Sequence, residues 1–149
     1  MRKKTFRIFA FVIMLTILLS TVAFAAINAS AYIAATNALI PRDGNTVEVN
    51  FWIVGTDTMD QIGVKYIYLY EKNGNSWNWV KTFAYTNPQY ASTLMDSSSG
   101  AHVGYVTYSG SATKSYYADC RFYAEKDGGS DTIQQYTPTS HGTTPSPTP

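Results

Sequence analysis

Residues 46–54 read TVEVNFWIV, and no other stretch constrains the fold of this chain as tightly. Val47, Val49, Phe51 and Ile53 fall on one side of an extended chain, Glu48, Asn50 and Trp52 on the other. A helix would scatter these apolar residues around its circumference, whereas a strand gathers them on one face, so strict alternation marks a strand with one buried side. The same signal recurs in VKYIYLYEK (64–72) and SYYADCRFYAE (115–125). NGNS (73–76) follows the first of these, and WNWVKTFAYT (77–86) returns. Asn73 and Gly74 accept the positive φ angles that a tight hairpin turn demands. A polar stretch with Pro88 leads to HVGYVTY (102–108); SGSATK joins that to 115–125; KDGGSD (126–131) turns into TIQQY (132–136). With AYIAATNALI (31–40) leading in, the chain predicts seven short strands, an all-β antiparallel sandwich.

Both ends differ from this pattern. Arg2, Lys3, Lys4 and Arg7 precede an apolar run from Ile8 to Leu19 and then Ala23-Phe24-Ala25, the layout of a secretory signal peptide. The expected signal is residues 1–25, with Ala29-Ser30-Ala31 offering a cut as late as 31. The apolar run is shorter than the ~20 residues of a membrane span, so cleavage and release are expected, with no membrane association afterwards. From Thr137 the sequence becomes TPTSHGTTPSPTP, which has too little apolar surface to offset chain entropy and reads as a disordered Pro/Thr-rich tail over 137–149. The folded domain is therefore expected over 32–136. Without the four signal cations, seven Lys and Arg face ten Asp and Glu, a net charge near −3. Nucleic acid as a partner is excluded on that ground, since it requires clustered cations.

Small exported domains often depend on disulfides. This one has a single cysteine, so stability has to come from packing, for which 12 tyrosines and 3 tryptophans are available. Within 115–125, Tyr116, Ala118, Cys120, Phe122 and Ala124 share one parity; Tyr117, Asp119, Arg121, Tyr123 and Glu125 share the other. All the charges sort to the second set. Cys120 is expected in the core beside Phe122, as a small hydrophobe rather than a reactive thiol.

Seven strands in about a hundred residues resemble an immunoglobulin-like sandwich. The segment GSATKSYYADCRFYAEKDGGSDT resembles the end of a fibronectin type III module, with Tyr116 or Tyr117 in the place of the corner tyrosine and Ala124 in that of a small residue. Phe51 stands where that family usually has an inward Trp, and the proline expected soon after is missing. The span 31–136 is also similar to small exported proteins of Gram-positive bacteria with a GTDTMDQIG-like loop before a Tyr-rich strand. These resemblances imply a secreted sandwich and transfer no site residues.

Catalytic chemistry finds few candidates. His102 and His141 are the only histidines, and no serine lies in a nucleophile-elbow context. One core Cys and two separated His do not make a zinc site. Asp57 and Asp60, or Asp127 and Asp131, lack the spacing of a calcium loop. No cofactor and no enzymatic activity are expected; a small hydrolase is the least supported alternative. The aromatics remain. Tyr66, Tyr68 and Tyr70 share one strand face, and Trp77 and Trp79 share a face on the returning strand. Ile67 and Leu69 have the stronger claim to the core, because a buried tyrosine hydroxyl needs a partner. These five aromatics predict an outward shelf that binds polysaccharide or cell-wall polymer. A protein-contact domain at the cell surface, with an exposed apolar patch, is the alternative.

Overall fold

The computed structural model of the chain describes residues 30–141. The expected signal segment and residues 142–149 of the expected tail lie outside the described residues. Elements run in the order β1 (Ile33–Leu39), β2 (Arg42–Asp43), β3 (Thr46–Asn73), β4 (Ser76–Ala84), a one-turn helix α1 (Ala91–Leu94), β5 (Met95–Ser109), β6 (Tyr116–Lys126) and β7 (Gly129–Tyr136). No helix among the described residues is long and apolar enough to cross a membrane. The fold is all-β: one curled antiparallel sheet of six substantial strands, plus the two-residue β2.

The largest departure from the expected seven-strand sandwich is β3. The segments 46–54 and 64–72 are not two strands separated by a loop. GTDTMDQIG lies within one 28-residue strand. One edge of β3 pairs first with β5, from Thr46↔Ser109 to Gly63↔Met95, and then with β4, from Tyr66↔Ala84 to Asn73↔Ser76. Its other edge pairs with β1 over 50–55 and with β6 over 61–71. Irregularities between Val54 and Met59 and between Val64 and Tyr66 bend the strand and allow the sheet to curl. Gly55 makes the first bend possible, since a Cβ there would sit 2.9 Å from both the Asp57 carbonyl oxygen and Met59 Cγ.

The curl encloses a core whose members follow the alternation. Val47, Val49, Phe51 and Ile53 from the first half of β3 meet Ile62, Val64, Ile67 and Leu69 from the second half, with Phe83, Leu94, Val106, Phe122 and Cys120 between them. Each of the larger side chains contributes roughly 1.5–3 kcal/mol on burial. Tyr116 is also fully buried. Its hydroxyl accepts a hydrogen bond from Ser111 N at 2.9 Å and donates one to Glu71 Oε2 at 2.6 Å, while Arg42 lies 4.9 Å over its ring. Glu71 thus holds a core tyrosine. Burial first, and the Glu71 hydrogen bond second, push the Tyr116 phenol up to about 12.

Both hairpins close within the expected segments, the first one residue later than expected, since Asn73 pairs with Ser76 and leaves Gly74 and Asn75 as the turn. Gly74 has φ +60° between β3 and β4, and Asp127 and Gly128 have φ of 52° and 80° in the two-residue turn from β6 to β7. The chain also stays paired beyond Tyr136, the expected domain boundary. Thr137 N bonds Ala118 O, Ala118 N bonds Thr137 Oγ1 and Ser140 N bonds Tyr116 O, so Thr137 is buried. Four residues of the expected tail complete the edge of β6.

Candidate functional site: an aromatic ridge

Pairing of β4, β3, β6 and β7 stacks their outward residues into rows. One row is Trp79–Tyr70–Tyr117; the next is Thr82–Tyr68–Asp119–Tyr136; the third is Ala84–Tyr66–Arg121–Gln134. Trp77, opposite Lys72, extends the ridge toward the β3–β4 turn. Tyr66, Tyr68 and Tyr70 are half-buried while Ile67 and Leu69 between them are fully buried, so the tyrosines do face away from the core. Trp77 and Trp79 keep the same face despite an irregularity in β4 opposite Leu69 and Tyr70.

The rings touch. Tyr70 and Tyr117 stack at 4.8 Å between centroids with planes 7° apart, Trp77 meets Tyr117 edge-on at 4.7 Å, and Tyr66 stacks on Tyr68 at 5.9 Å. Tyr136 adds a tilted contact with Tyr117 at 6.1 Å. Such pairs add roughly 0.5–1.5 kcal/mol each beyond burial, and they fix ring orientation. Trp79 and Tyr136 remain open to solvent, 61% and 59% exposed, at opposite margins of the ridge. Trp79 is held in place by a hydrogen bond from its Nε1 to Thr82 Oγ1 at 3.0 Å.

Tyr117 and Tyr136 are members that the sequence reading missed. The signal was present for Tyr117, which shares parity with the charged residues of β6. It carried no weight because its stacking partner Tyr70 lies on another strand. Polar groups lie among the rings. Asp119 Oδ2 accepts from Arg121 Nη2 at 2.9 Å and from Gln134 Nε2 at 3.0 Å, and Gln134 Nε2 also reaches the Tyr136 hydroxyl at 2.5 Å. Asp119 and Tyr123, both expected on a solvated face, are in fact buried. Asp119 is sealed by its partners and the neighbouring rings. Tyr123 is covered by Lys65, whose Nζ lies 3.4 Å from the ring centroid, and its hydroxyl donates to Glu125.

The other candidates are accounted for by structural contacts. His102 lies inside β5 rather than at a strand start, and its Nε2 meets the Thr93 carbonyl at 2.8 Å. Asp131 receives Ala31 N and Tyr32 N; Asp60 receives Asp127 N; Asp57 pairs with Lys126, and that hydrogen bond holds its carboxyl below the usual range. No group of three or more His, Cys, Asp or Glu among the described residues is arranged to hold a metal. Cys120 is fully buried, and burial, followed by the charge of Asp119, pushes its thiol up to about 12.

The other end of β3 carries a second surface feature. Leu39, Trp52, Val103 and Tyr105 are exposed there and line a groove of about 570 Å³, with Val54 exposed nearby on the same strand. No protein-family model, no curated protein and no solved structure matches this chain.

Proposed function

We propose that this chain is an exported, non-enzymatic β-sandwich module that binds a neutral polysaccharide, such as a cell-wall polymer, along the ridge of Tyr66, Tyr68, Tyr70, Trp77 and Trp79. The observation that carries the reading is the cluster of contacting rings Trp77, Tyr70, Tyr117 and Tyr136 across β4, β3, β6 and β7, flanked by the stacked pair Tyr66–Tyr68 and by the solvent-open Trp79. A sugar ring presents an axial C–H face that packs on an aromatic face, and its hydroxyls find partners in tyrosine hydroxyls and carboxamides. The signal-like segment at residues 1–25 supports action outside the cell. An immunoglobulin-like ancestry is supported by Tyr116, whose hydroxyl bonds back to the backbone five residues upstream, as a corner tyrosine does.

The test is retention of the parent protein and of Tyr68→Ala with Trp79→Ala on a panel of insoluble polymers: cellulose, xylan, chitin and isolated peptidoglycan. The parent should be retained on one of them and the double variant lost from it, with a melting temperature within a few degrees of the parent. Equal retention of both proteins would refute the ridge as the binding surface. Capture by a cell-surface protein with no polymer bound would favour the protein-contact alternative.

A further inference from the structure

The groove at the first half of β3 is built from three strands in register. Asn37, Trp52 and Val103 lie across from one another on β1, β3 and β5, and so do Leu39, Asn50 and Tyr105. Helix α1 supplies a wall through Ser92 and Thr93. Thr93 is anchored on the core side of β5: Leu94 is fully buried, His102 Nε2 meets the Thr93 carbonyl, and a Cβ on Gly104 would stand 2.6 Å from Thr93 O and 2.7 Å from Phe51 Cζ.

Its chemistry is selective. The lining contains no Asp, Glu, Lys or Arg. Trp52 is 39% exposed between two carboxamides, and no hydrogen bond within the described residues engages either Asn37 or Asn50 through its side chain. Charged ligands would lose hydration here with no countercharge in the lining to offset it. A purely apolar ligand would strand two amides, each able to donate and accept. A neutral ligand with one apolar face and hydroxyls at its rim satisfies both groups. About 570 Å³ is the size of a small-molecule site rather than of a flat protein interface.

We propose that this groove is a second binding subsite for a sugar unit of a neutral polysaccharide, with Trp52 as the stacking platform and Asn37 and Asn50 as its hydrogen-bonding flanks. The choice of ligand class rests on the polysaccharide reading of the ridge; the groove itself shares no residue with the ridge. Occupied together, the two sites would hold two stretches of polymer on one small domain, a gain in avidity with no new contact.

The three tryptophans allow the sites to be read separately. In the Trp77→Phe, Trp79→Phe protein, Trp52 is the sole tryptophan emitter, and in Trp52→Phe the only tryptophans are those of the ridge. Each is titrated with the β1,4-linked hexasaccharides of glucose, xylose and N-acetylglucosamine. The expected result is a saturable change in Trp52 emission with one of these. Adding Asn37→Ala and Asn50→Ala should weaken it about tenfold or more, from the loss of two hydrogen bonds. A silent Trp52 alongside a responding ridge overturns the groove and leaves the ridge standing; the converse leaves the groove and removes the ridge; silence in both overturns both. A Trp52 shift that depends on protein concentration alone, with a dimer in sedimentation, overturns the proposal by assigning the groove to a second copy. If the sole-emitter variant does not fold, calorimetry on the parent decides, with two sites per chain expected and one or none refuting the proposal.

Discussion

Cys120 sits on β6 opposite Ile67 of β3 and Gln135 of β7, and none of its surface reaches solvent. Exposing this thiol to a labelling reagent therefore probes whether the sheet opens. Moving the thiol from 9.0 to about 12 amounts to ~4 kcal/mol in favour of the protonated form. The folded value is the raised one, so this contribution is fully present below pH 9 and is lost as pH rises from about 9 to about 12. At neutral pH the folded protein offers a reagent neither access nor thiolate, and labelling has to wait for opening. Even an opening free energy of ~5 kcal/mol, the low end for small domains, leaves about one molecule in several thousand open. The assay is disulfide-exchange labelling at pH 8 of the native protein and of the protein in denaturant. Labelling of the native form should be slower by a factor of at least about a thousand. Cys120→Ala should cost little, whereas Cys120→Asp places an unpaired carboxylate among Ile67, Phe122 and their neighbours and should cost several kcal/mol, about 3–5. Native labelling within tenfold of the denatured rate, or a disulfide-linked dimer on a non-reducing gel, would refute the inward parity of β6.

Gly63→Ala should destabilise by about 3 kcal/mol or more, because the new Cβ would fall onto the Leu94 carbonyl oxygen and lie 2.9 Å from Met95 Cα; chemical denaturation reads this directly, and an unchanged midpoint would refute the close approach of α1 to β3. Tyr116→Phe should cost about 1–3 kcal/mol by removing the acceptor of Ser111 N and leaving Glu71 with Lys114 alone, and an unchanged melting temperature would contradict it. With the folded phenol raised to about 12, stability of the parent should fall as pH climbs from about 10 to about 12, and the phenylalanine variant should show less of that loss. Gly104→Ala should drive Thr93 away from β5 and perturb Trp52 emission before it unfolds the domain, which parallel fluorescence and circular dichroism melts would separate.

Side-chain alternation is a local property, and what it fixes was legible in the sequence. It placed Val47, Val49, Phe51 and Ile53 inward, set Ile67 and Leu69 against Tyr66, Tyr68 and Tyr70, and turned Cys120 toward Phe122. The positive φ of Gly74 and of Asp127-Gly128 was legible for a similar reason, since it is a demand on single residues, whereas Asn73, expected in the turn, stays in β3 opposite Ser76. Which backbone lies beside which is not local. GTDTMDQIG is polar and contains two glycines, yet it remains strand because β1 pairs with Gly55 and because β5 and β6 pair with its second part, from Met59 to Gly63, out of chain far along the sequence. Nothing in the hydropathy of those nine residues records that pairing. Asp119 and Tyr123 lie on the face that alternation assigns outward, and only the arrival of Arg121, Gln134 and Lys65 from above and beside them buries that face. Tyr117 joined Tyr70, Trp77 and Tyr136 into one cluster, and Ser92 and Thr93 came to border the groove, because register across four strands and one helical turn sets neighbours that no single strand contains. Sequence decided the faces of each strand, and tertiary pairing decided what each face meets.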